Sequence, residues 1–122
     1  MHEYHKPKVL IVHGMDCLRD EYVEAFKVTR EYDIYTARLA EVGKSMYVPF
    51  GIRDNGVIIM DPYLTGCDEA LEEIRSRDSN PKIIVLHKDH TPENVVSQAD
   101  RLLGREKPSL TERVMAKLSI PA

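Results

Sequence analysis

Three titratable residues each stand directly behind a short apolar run, the place where an α/β chain usually keeps its chemistry. Asp61 follows "GVIIM" (56–60), His13 follows "KVLIV" (8–12) and His87 follows "KIIVL" (82–86). A carboxylate that ends a buried strand suits two tasks. It can attack a phosphoryl group whose charge a cation offsets, or it can cap the turn that follows, as Asp often does. Lys107, in the pair Lys107-Pro108, is a candidate cation for the first task, and by itself it reads as an exposed lysine before a helix. Brought together, His13, Asp61 and His87, with His90 as a fourth donor, would suit zinc, nickel or copper better than magnesium. The commoner reading is that the histidines hydrogen-bond the carboxylate or loop carbonyls, which needs no metal. Cys17 and Cys67 fit neither a disulfide scaffold nor a CxxC site and read as two reduced, partly buried thiols.

The elements that must position these residues alternate in type. "KVLIV" has strand length, and Leu18, Tyr22, Ala25 and Phe26 then recur at helical spacing. "YDIYTA" (32–37) reads as a second strand, and "LAEVGKSMYVPFG" (39–51) follows with weak helical patterning. "GVIIM" is the third strand; beyond the turn at Thr65-Gly66, Ala70, Leu71 and Ile74 share one helical face. "KIIVL" is the fourth strand. Thr91-Pro92 is a helix start, a hydroxyl cap before a proline that needs no amide hydrogen, with Val95, Val96 and Ala99 as the inner face. "RLLG" (101–104) is a candidate fifth strand, and Ser109 with Glu112 caps a terminal helix striped by Leu110, Val114 and Leu118. Strands apolar throughout, alternating with helices, imply one doubly wound parallel sheet of order 2-1-3-4-5, with its site at the carboxyl ends of the strands.

Composition narrows the classes of function. With 122 residues the chain supports one domain, 1–122, in which 1–7 reads as a flexible lead-in. A net charge of -3 with interspersed signs gives no general attraction to nucleic acid or to an anionic membrane. No apolar run approaches a membrane span, and "MHEYHKPK" lacks the apolar centre of a secretory signal, so a cytoplasmic location is expected.

"VIIMDPYLTGCDEALEEIR" (57–75) resembles the centre of response-regulator receiver domains, the CheY-like superfamily of flavodoxin-like fold. There, a buried strand ends in a phosphate-accepting Asp, and a loop containing proline and glycine leads into a helix. "KVLIV" resembles that family's first strand, "KIIVL" its fourth, and Lys107-Pro108 the Lys-Pro pair after its fifth. The resemblance covers nearly the whole chain. It implies Asp61 as phospho-acceptor, Lys107 as the lysine that pairs with the phosphoryl group, and a histidine kinase or other signalling protein as partner. It also implies a homodimer through the fourth helix, fifth strand and fifth helix, a region carrying Asp100, Arg101, Arg105, Glu106, Glu112, Arg113 and Lys117.

The departures from the family pattern are as informative. The acid pair that holds magnesium is replaced by His13 and Gly14, with Asp16 two or three residues late, so magnesium is expected to bind weakly or not at all. His87 stands where the switch Thr or Ser belongs, and Arg101, Leu102 and Leu103 offer no aromatic switch residue. The stretch from His87 to Ala99 is about a turn shorter than in the family. The expectation is a degenerate receiver, acting through protein contacts and needing no cofactor, with phosphorylation of Asp61 weak or absent. The alternative is a working phospho-acceptor in a phosphorelay. A small α/β enzyme is a minor third reading: no GxGxxG follows the first strand, "HGMDCLR" lacks a Cys-x5-Arg loop, and no nucleophile elbow is present.

Overall fold

The computed structural model describes residues 6–104. Lys107, the terminal helix, and Arg105, Glu106, Glu112, Arg113 and Lys117 of the expected dimer face lie outside the described residues. Strands β1 (Lys8–Val12), β2 (Asp33–Ala37), β3 (Gly56–Met60) and β4 (Ile83–Val85) form one parallel sheet in the order β2-β1-β3-β4. The register sets Val12 beside Ala37 and Met60, and Met60 beside Val85. His13, Asp61 and the end of the fourth strand therefore share one edge. The lead-in is anchored earlier than its sequence suggests, since Pro7 is buried and its carbonyl accepts the Asp33 amide at 3.0 Å.

Every residue of β3 is buried, because helices cover both faces of the sheet. On one face, Val9, Ile11, Val57, Ile59, Ile84 and Leu86 pack under Tyr22 and Phe26 of α1 (Asp16–Lys27) and Val95 and Ala99 of α5 (Pro92–Leu102). On the other face, Leu10, Val12, Ile58 and Met60 meet α2 (Ala40–Met46), Ile52 of α3 (Ile52–Asn55) and Ala70, Leu71 and Ile74 of α4 (Cys67–Arg77). The poorly patterned stretch thus holds one short helix, α2, and a run of turns, with α3 beginning directly after it. Gly43 in α2 weakens the helical signal, yet it is what brings α2 onto β1: a Cβ there would lie 2.6 Å from Val12 Cγ2.

The candidate fifth strand is corrected. Arg101 and Leu102 complete α5, and Leu103 and Gly104 form a turn. The Leu102-Leu103 pair reads as a strand only when taken as a run. Leu103 follows Val95 and Ala99 at helical spacing and packs on the same core, while Leu102 faces solvent. Moreover, α5 lies on the α1 face, opposite α4, the crossover leading to β4. Right-handed crossovers on the α1 face lead outward from β1 to β2, and those on the other face lead toward β4. Among the described residues β4 is an edge of the sheet.

Two tyrosine-aspartate bonds fasten the layers. Tyr32 donates to Asp100 at 2.6 Å, tying the start of β2 to α5, and Tyr47 donates to Asp78 at 2.6 Å, tying the end of α2 to the end of α4. Asp100, expected on a solvated dimer face, is buried by that bond. The thiols also differ from expectation in part: Cys67 is buried but Cys17 is exposed.

Candidate functional site

Asp61 is only 8% exposed and His13 6%. Both sit where their strands run out, and the Asp61 amide still continues the ladder by donating to the Val12 carbonyl at 2.9 Å. Their side chains meet at 3.6 Å, His13 Nδ1 to Asp61 Oδ2. The same Nδ1 accepts the Met15 amide hydrogen at 3.1 Å. One nitrogen cannot both accept that hydrogen and carry a proton toward the carboxylate. The shorter contact decides: Nδ1 turns its lone pair to the Met15 amide, so it offers Asp61 no hydrogen bond.

His87 is exposed and turns to its own loop. Its Nδ1 accepts the Asp89 amide at 3.1 Å, its amide donates to His90 Nδ1 at 3.1 Å, and the two imidazole rings lie 3.8 Å apart. His90 Nε2 bonds Gln98 Oε1 at 3.2 Å. The structure thus brings His13 to Asp61 and His87 to His90, as two separate pairs. Among the described residues, no group of three or more His, Cys, Asp or Glu side chains is placed to hold a metal ion. The Asp61-His13-His87 donor set is therefore not assembled here.

The positions that hold magnesium in receiver domains do not fit that ion either. Gly14 leaves room that Leu64 fills from the β3-α4 loop: a Cβ on residue 14 would lie 3.0 Å from Leu64 Cδ2. Asp16 is taken by Arg19, with Arg38 at 3.9 Å, and its side chain is 68% exposed. The Arg19 guanidinium bonded to it holds the Asp16 carboxyl below its usual range. Arg19 also donates to the His13 carbonyl at 3.0 Å, fixing the strand end to α1. Among the described residues, a glycine filled by leucine and an acid clamped by arginine leave one carboxylate, Asp61, for an ion that needs several oxygen ligands.

Among the described residues the Asp61 carboxylate also accepts the Tyr63 amide, on Oδ1 at 3.0 Å. The Asp61 charge is felt by two neighbours. Burial first, then Glu21 and Asp61, push the Tyr22 phenol up, and burial, Asp68 and Asp61 do the same to the Cys67 thiol. Tyr63 beside Asp61 is 90% exposed. Arg19, Leu64 and Tyr63 are site residues that no motif in the sequence singles out. Only Gly14, where an acid is expected, signals that something has taken the space.

No family model matches the chain, and no curated protein matches it. Solved structures do. A two-component response regulator of the LuxR family from Aurantimonas sp. SI85-9A1 superposes with a TM-score of 0.66 at 19% identity, over 94% of this chain and 100% of that one. The N-terminal domain of an uncharacterized protein from Wolinella succinogenes superposes with a TM-score of 0.53 at 25% identity, over 93% of this chain and 91% of that one. The chain has the receiver-domain fold: a parallel α/β sheet flanked by helices, with four strands among the described residues. No helix among those residues is long and apolar enough to cross a membrane.

Proposed function

We propose that the chain is a receiver-type signalling module that works by binding other proteins, with Asp61 kept as part of the fold more than as a phosphate acceptor. The observation that carries this is the occupied metal position, where Leu64 fills the space beside Gly14 and Arg19 holds Asp16. Among the described residues only His13 comes within ion-pair distance of Asp61 and no metal-holding cluster stands there, so within them an incoming phosphoryl group meets a negative carboxylate with no lysine, arginine or metal to offset it. On this reading the chain is not an enzyme and needs no cofactor, and its partner is a histidine kinase or another signalling protein.

Backbone amide NMR spectra with and without magnesium and beryllofluoride test the reading. Unmoved amides around Asp61 support it. Saturable shifts spreading from Asp61 into the β3-α4 and β4-α5 loops overturn it in favour of a working phospho-acceptor.

A further inference from the structure

The outer edge of β2 carries an unused pairing surface. The Asp33 amide bonds inward to Pro7 and the Ala37 carbonyl inward to the His13 amide, so by alternation Ile34 and Thr36 point their amides and carbonyls outward. Among the described residues no strand pairs with that edge. Natural edge strands are blunted by lysine, proline, a bulge or a covering loop. Of the five β2 residues only Asp33 is charged and none is proline, and the edge opens on a groove of about 600 Å³ also lined by Val23 and Lys27 of α1.

We infer that this edge pairs with the β2 edge of a second copy of the chain, antiparallel about a two-fold axis at Tyr35, to make one continuous sheet. The sequence of the edge is self-complementary in that register. Ile34 opposes Thr36 of the second copy, and each such pair exchanges two backbone hydrogen bonds. Tyr35 meets its own counterpart at the closely spaced position, where an aromatic pair is favourable. No like charges are opposed: Asp33 faces Ala37, and Arg38 faces Tyr32. A stable dimer buries at least about 1,200 Å² in total, more than five strand residues supply. The flanks are suited to add it, with Phe50, 45% exposed, packed 5.4 Å from the Tyr35 ring, and half-buried Val23 on the opposite face. A two-fold arrangement uses each flank twice.

Sedimentation equilibrium of the full chain, from low to high micromolar concentration, tests the pairing. The expected result is a monomer-dimer equilibrium that Thr36→Lys weakens by at least about tenfold, by setting an edge lysine against the mate strand, while Thr36→Val leaves it in place. Thr36 is exposed, so both variants keep the core, and near-ultraviolet circular dichroism checks that they do. In the parent chain, hydrogen exchange at the Ile34 and Thr36 amides slows as concentration rises. A monomer throughout the range, a dimer indifferent to Thr36→Lys, or exchange independent of concentration overturns the inference.

Discussion

The amide of Tyr63 donates to Oδ1 of Asp61 at 3.0 Å, two residues along the chain. The same arrangement recurs where two other strands run out, with Met15 donating to His13 and Asp89 donating to His87, each at 3.1 Å. Side chains that accept the amide two residues on organise a turn locally. Three residues whose types and placing suggest one shared reaction centre are therefore also three turn caps, each closing the loop behind its own strand.

Exchange of the Asp61 carboxylate for an amide separates the two roles. Asp61→Asn keeps an oxygen for the Tyr63 amide and is expected to unfold within about 0.5 kcal/mol of the parent in urea, whereas Asp61→Ala loses the bond and about 1 kcal/mol. Equal losses in both variants would show that the negative charge, and not the turn, is what the fold uses.

Metal titration should find nothing at this edge. Millimolar magnesium is expected to leave the amides of His13, Met15 and Asp61 in place, because one carboxylate replaces too few of the ion's hydration contacts. Calorimetric titration with zinc at neutral pH should show no binding that His13→Ala and His87→Ala both abolish, since the two imidazoles belong to separate pairs. A stoichiometric site lost in both variants would contradict the geometry.

Gly43→Ala tests the seating of α2. On helix propensity alone the change favours α2 by about 1 kcal/mol. The added methyl, however, meets Val12 Cγ2 at 2.6 Å, and Val12 is fully buried and stiff at χ1. The clash is expected to win, with a net loss of about 1–2 kcal/mol in urea unfolding. A variant more stable than the parent would mean that α2 has room to lift.

The Tyr47-Asp78 bond carries a pH dependence of stability. Burial and the bond to Asp78 raise the Tyr47 phenol above its ordinary 10.0, and that bond lowers the Asp78 carboxyl below its ordinary 3.8. A raised folded value for Tyr47 means a contribution complete below pH 10.0 and lost as pH climbs through the raised value. A lowered value for Asp78 means a contribution present above pH 3.8 and lost as pH falls through the lowered one. Tyr47→Phe should therefore lower the urea midpoint at neutral pH and flatten the stability profile at both extremes.

At Tyr32 the hydroxyl reaches a fully internal partner. Tyr32→Phe keeps the edge-to-face contact with Phe26, at 4.9 Å between ring centroids, and removes the bond to Asp100. Leaving that buried carboxylate without this donor is expected to cost about 1–3 kcal/mol. An unchanged urea midpoint would mean that α5 is held by its apolar contacts alone.

The order of elements through the fourth strand, the buried strands and the inner faces of α1, α4 and α5 were legible in the sequence, because hydrophobic periodicity and the Thr91-Pro92 cap are local signals. So was the placing of His13 and Asp61 side by side, since equal strand lengths in a parallel sheet bring strand ends to one edge. What occupies that edge is a tertiary matter. Leu64 is fifty residues from the Gly14 whose space it fills, and only the closing of the β3-α4 loop brings them together. His87 turns to its own loop because the Asp89 amide donates to its ring and the His90 ring accepts its amide. The fate of "RLLG" was decided in the same way. Leu102 and Leu103 read as a strand in isolation, but the core that Val95 and Ala99 share with Phe26 draws Leu103 into the helical stripe on the α1 face.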